Sequence, residues 1–261
     1  MQEFLHFQIL GQAIGLFQIS MNPSRRIPMY RKFQKSPVKV LLLLFCITQI
    51  YCTTIGFHRD KIRDEIDFGE EETLRLCVWK DVKVSDKELT ELVESWNKEL
   101  EYYKIKIFLN DIQDWERPGW TGAAIMDQVF YADLPLRCDR LLAVAGGKLS
   151  DTAFELVGIV FALFGIPSFQ ILGAVETKTG TRGYILGQTR TISHWLSGGA
   201  EGTLIHEGYH LLGCKHSFFL SDCYVQIRKV KEWKRKNREA GTPFFPSVDE
   251  EGKIFLKSPW E

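Results

Sequence analysis

Residues 73–109 read TLRLCVWKDVKVSDKELTELVESWNKELEYYKIKIFL. Leu74, Leu76 and Val78 alternate with Arg75, Cys77 and Trp79. That period of two predicts a strand over 73–82 with one face buried. Ser85 stands three residues before Glu88, the spacing of a capping box at a helix start. Leu89, Leu92, Val93, Trp96, Leu100 and Tyr103 follow at helical spacing, so 86–103 is expected to form an amphipathic helix. KIKIFL at 104–109 is a second strand. Strand, helix and strand in that order imply a right-handed crossover between parallel neighbours.

Beyond this unit, 123–130 suits a short helix, RLLAVA at 140–145 a strand, and 151–164 a strongly apolar, buried helix. Residues 170–176 and 183–188 read as two strands joined by a turn at 177–182, which contains Gly180. Tyr224, Ile227, Val230 and Trp233 recur every three residues within a basic stretch. That predicts a C-terminal helix with a solvated basic face, and 243–261 is expected as a covering tail. The class is α+β, a mixed twisted sheet with an antiparallel strand at one edge.

The 261 residues are 45% hydrophobic and 25% charged, the composition of a globular protein rather than a disordered one. Lys and Arg number 33, as do Asp and Glu. A net charge of zero gives no global field for nucleic acid, and none is expected as a partner. No internal repeat is present.

The N-terminal part differs. Residues 40–57 carry no charge, and Arg25, Arg26, Arg31, Lys32, Lys35 and Lys39 precede them. A basic flank followed by an apolar run is the layout of an export signal, and an uncleaved anchor is the alternative. Read from Met29, the signal ends at Cys52 and looks like that of a bacterial lipoprotein, although Gln49, Ile50 and Tyr51 depart from the usual pattern before the lipidated cysteine. The expected organisation is an extension with signal or anchor over 1–52, a charged linker over 53–72 and one domain over 73–261. The protein is then exported, either membrane-anchored or secreted. Cys77, Cys138, Cys214 and Cys223 could form up to two disulfides in an oxidising compartment, with three connectivities possible, or remain buried thiols.

The chemistry lies in HEGYHLLGCKH at 206–216. His206 and His210 are four apart on an expected helix, so both imidazoles lie on one face. Glu207 stands one step round, beside the pair. Gly213 tolerates the left-handed conformation that ends a helix and lets the chain turn to deliver His216. Three neutral imidazoles with an open fourth position are what a catalytic zinc requires. A bare HExxH arises by chance in roughly one per cent of chains of this length. The added Gly and His lower that by a factor of about several hundred. His194 lies outside the motif and is expected to be structural.

The segment is similar to the metzincin consensus HExxHxxGxxH at every fixed position. The resemblance implies a zincin-like domain, one Zn2+ held by His206, His210 and His216, and Glu207 as general base. It also departs from that family. Met1, Met21, Met29 and Met126 all precede the motif, so no methionine follows the third histidine. Archaemetzincins look nearest, with Val225 where their methionine stands. Tyr224 is either a partner for the oxyanion or the metal, as in some metzincins, or a core aromatic. The implied function is a monomeric zinc-dependent endopeptidase acting on a peptide or protein substrate. The alternative is a catalytically inactive zinc-binding surface lipoprotein that serves as a binding module.

Overall fold

The computed structural model describes residues 55–163, 171–237 and 244–256. All lie in one compact unit spanning Ile50–Glu261. The segment read as signal or anchor, 1–52, falls outside them. Among the described residues no helix is long and apolar enough to cross a membrane.

A short helix α1 (Asp60–Asp64) leads into β1 (Glu72–Asp81), α2 (Asp86–Leu100), a 3-10 turn (Glu101–Tyr103) and β2 (Ile105–Trp115). The capping box forms as expected. The Ser85 side chain accepts from the Glu88 amide, and the Glu88 carboxylate accepts from the Ser85 amide. Lys104 ends the turn in the left-handed conformation. β1 and β2 are parallel, with a bulge between Leu76 and Cys77.

Next come α3 (Gly122–Phe130), β3 (Arg140–Ala145), α4 (Leu149–Leu163), β4 (Gly173–Val175) and β5 (Arg182–Leu186). The sheet order is β2-β1-β3-β5-β4, parallel except for β4, which runs antiparallel along β5 at the edge. α5 (Ile192–Leu196), α6 (Gly199–Leu211) and α7 (Ser221–Asn237) complete the helices, and β6 (Ser247–Val248) pairs with β7 (Ile254–Phe255). The α+β class and the antiparallel edge strand are as read from the sequence.

The strand alternation sorts the core. Leu74, Leu76, Val78, Leu142, Val144 and Ile185 meet Trp96 of α2, Leu204 of α6 and Ile227 of α7. On the other face, Ala143, Tyr184 and Leu186 meet Ile125 and Val129 of α3. All six residues of β3 are buried, as for a central strand covered on both sides. Both disulfides form, as Cys77–Cys138 and Cys214–Cys223.

Three local expectations need revision. The apolar helix α4 is not buried: Leu149, Phe154, Leu156, Val157, Val160 and Phe161 are exposed. What it buries is charge, since Asp151 takes both nitrogens of Arg117 at 2.7 and 2.8 Å. An apolar run does not by itself say which side of a helix is covered.

The basic face of α7 is only partly solvated. Lys234 pairs with Glu72 at 2.8 Å. Lys231 donates to the carbonyls of Tyr103 and Lys104 at 2.8 and 2.9 Å. Their long stems lie along the apolar surface while the amines satisfy backbone ends.

Residues 55–72, within the stretch read as linker, pack onto the domain. Ile55 and Phe68 enter the core. The backbone of Ile55 and Phe57 bonds to Ser217, Phe218 and Leu220. Of the charged residues that gave this segment its linker look, Asp60, Lys61 and Asp64 are exposed on α1, while Arg63 is buried and pairs with Asp60 at 3.0 Å.

Candidate metal centre

The helix α6 begins in a glycine pair rather than at a polar cap. Gly198 and Gly199 both have positive φ. The first free amide is instead taken by Thr189, whose Oγ1 accepts from the Ala200 amide at 3.0 Å. The helix then presents two faces. Leu204, Tyr209 and Leu211 point into the core. The Tyr209 hydroxyl meets that of Tyr103 at 2.8 Å and also donates to Glu99. Gly208 faces α2, where an added Cβ would lie 2.4 Å from the Trp96 indole nitrogen.

His206 and His210 occupy the opposite side and are only partly buried. The helix ends at Gly213, whose φ is +84°. A side chain there would stand 2.5 Å from the Val248 Cβ, so both conformation and space call for glycine. The turn brings His216 back to the pair. One ligand nitrogen from each of the three histidines lies within 4.8 Å of the others. The His210 and His216 Nε2 atoms are 3.1 Å apart. Two imidazoles on a tetrahedral zinc, with Zn–N of about 2.0–2.1 Å, stand about 3.3 Å apart, so this pair fits one ion. Among the described residues this is the group that could hold a metal ion. Imidazole suits zinc and several other transition metals.

The tautomer of one ligand is set from behind. His210 Nδ1 lies 2.8 Å from the Cys214 carbonyl, which can only accept, so Nδ1 carries the proton and Nε2 offers its lone pair. Burial, helped by the neighbouring His216 and opposed by that carbonyl bond, pushes the His210 pKa down to about 4. The neutral form that a metal needs is therefore the resting form.

Glu207 is buried at 6% exposure, and desolvation pushes its carboxyl up to about 8. It lies against the edge strand. A Cβ on Gly173 would come within 2.6 Å of Glu207 Cγ and 3.0 Å of its Oε1. Tyr224 takes the core position among its alternatives. It is fully buried, and its hydroxyl accepts from the Arg59 amide at 3.1 Å and meets His58 Nδ1 at 3.2 Å. His194 is buried and lies on α5, before the motif helix.

The sequence reading missed four supporting groups: Thr189 as cap, Gly173 as spacer, Cys214 as the partner of His210, and Arg140. The Arg140 guanidinium donates to the Leu211 carbonyl at the end of α6 and to that of Pro246, at 2.7 and 2.6 Å. Only Cys214 had a signal, its place inside the motif. The others come from distant parts of the chain. In comparisons with known proteins, no family model matches the sequence and no curated protein matches it.

Proposed function

We propose that the protein is a single-zinc endopeptidase of metzincin type, with a zincin-like domain in which His206, His210 and His216 hold the metal and Glu207 is the general base. The observation that carries this reading is the convergence of the three imidazoles beside a carboxyl that is not itself in the cluster. Zinc bound there supplies Lewis acidity to a substrate carbonyl and lowers the pKa of a water towards about 7.

Glu207 accepts the proton of the attacking water and returns it to the departing amine. Its raised pKa comes from burial. With a dication held by the three histidines, Glu207 would favour its ionised form and could serve as a base. Gly173 leaves room for that side chain at the sheet edge.

The substrate is a peptide in extended form laid along β4. The Leu186 amide donates to the Leu172 carbonyl, and the Glu176 amide to the Arg182 carbonyl. By the alternation of an antiparallel ladder, the backbone groups of Gly173 and Val175 then point away from β5. Those groups are available to add a strand beside Glu207. The basic flank and apolar run ahead of Cys52, which read as an export signal in the sequence, support a site that works outside the cytoplasm, on a secreted or lipid-anchored chain.

The burial of Glu207 favours one second reading, a zinc-binding surface lipoprotein that does not hydrolyse. The experiment that separates the two is digestion of a broad peptide library by metal-loaded, chelated and zinc-reloaded protein. Cleavage that vanishes on chelation and returns with zinc supports the peptidase. No cleavage by fully loaded protein sinks it.

A further inference from the structure

We propose that the Cys214–Cys223 disulfide assembles the metal centre, so that the three-histidine site takes up its ion tightly only after the chain has been oxidised. This rests on the reading that the three histidines bind zinc. Cys214 sits between the second and third of them and acts in three ways. Its carbonyl holds His210 Nδ1 at 2.8 Å. Its amide donates to the Tyr209 carbonyl at 3.0 Å and closes the end of α6. Its sulfur is bonded to Cys223 in the first turn of α7. One residue thus sets the ring of His210 and the direction in which the chain leaves for His216.

The chain between is largely exposed, and its backbone bonds run from Ser217 onward, to Ile55 and Phe57. Lys215, His216, Phe218 and Phe219 are exposed, and burial resumes at Leu220. The disulfide closes this segment into a loop with a sequence separation of 9, which restricts the positions open to His216. Both cysteines are buried, at 4% and 3% exposure. Once formed, the bond is shielded from small thiols. No methionine follows the third histidine, and the covalent tie lies in that stretch of chain.

The chemistry is thiol–disulfide exchange. The Cys214 and Cys223 thiols lose two protons and two electrons to a disulfide-bearing oxidant. One S–S bond forms in the chain while the oxidant's own S–S bond breaks and leaves as a dithiol. In a reducing compartment the third ligand stays loose and the site is weak. After export it closes.

The test is zinc affinity, measured by competition with a chromophoric chelator, for wild type, Cys214→Ser/Cys223→Ser and Cys77→Ser/Cys138→Ser. Loss of the supporting shell is expected to weaken zinc binding about 10–100-fold in the first variant and less than about twofold in the second, which ties β1 to the entry of β3. Because the first variant could fail to fold, a second measurement uses wild type alone. Reduction of each disulfide by a phosphine is followed by mass mapping with and without zinc. Reduction passes through an opened loop that holds zinc poorly, so excess zinc should slow opening of Cys214–Cys223 by about tenfold or more and leave Cys77–Cys138 unchanged. A folded first variant with wild-type affinity, or equal protection of both disulfides, overturns the proposal. Wild type that binds no zinc at all overturns the metal-centre reading and this inference with it.

Discussion

Gly173 of the edge strand and Glu207 of the motif helix are in contact so close that a Cβ on the former would stand 2.6 Å from Cγ of the latter. The strand that would receive substrate and the carboxyl that would take the proton of the attacking water are therefore one mechanical unit. Gly173→Ala is expected to push them apart by a fraction of an ångström to about 1 Å, which costs about 100-fold in rate when a catalytic group is misplaced. Zinc content should stay unchanged, because no histidine is touched. Peptide hydrolysis with metal analysis checks both halves, and a variant of wild-type rate removes the role given to β4.

Arg140 carries a second prediction, on stability. It is fully buried and donates to the carbonyls of Leu211, Asp139, Phe245 and Pro246. Burial lowers its pKa to about 10, so it stays charged at neutral pH. Arg140→Met removes that charged donor from buried carbonyls and is expected to cost about 3 kcal/mol in urea unfolding. Arg140→Lys should recover little, since an ammonium cannot span acceptors on opposite sides of a planar fork. Full recovery by lysine would show that charge alone matters there.

His194 provides a pH dependence. Burial lowers its pKa below the ordinary value, against hydrogen bonds to the backbone of Gln188 and Gly199. Above about pH 6.5 the ring is neutral in both folded and unfolded chains. As pH falls below that, the unfolded chain takes up the proton first, and stability is lost until the folded value is passed. His194→Gln removes this contribution. The difference in urea midpoint between wild type and variant, both with chelator present, should change between pH 7 and pH 5. A constant difference would contradict the assignment.

Much of this architecture was legible in the sequence where one pattern had one solution. The alternation at Leu74, Leu76 and Val78 and the Ser85–Glu88 box each allow a single local structure, and both formed. The convergence of His206, His210 and His216 follows from helical spacing plus a glycine turn. What escaped was decided by remote partners. Lys231 and Lys234 look like solvent charges until the Tyr103 carbonyl and Glu72 arrive from β1 and the turn after α2. The α4 run looks like core until Arg117 claims Asp151 and turns that side inward. Ile55 and Phe68 read as part of a linker because two apolar residues among many charges carry no period, yet both found the core.

Under the proposed function, Glu207 acts as a base beside a three-histidine zinc. The most direct measurement compares wild type with Glu207→Ala for zinc content and for hydrolysis of the best peptide found in the library. One zinc per chain is expected in both proteins, with loss of hydrolysis by at least about 100-fold, the contribution of a general base, in the variant alone. Equal hydrolysis by the two proteins, or a wild type that retains no zinc, would contradict it.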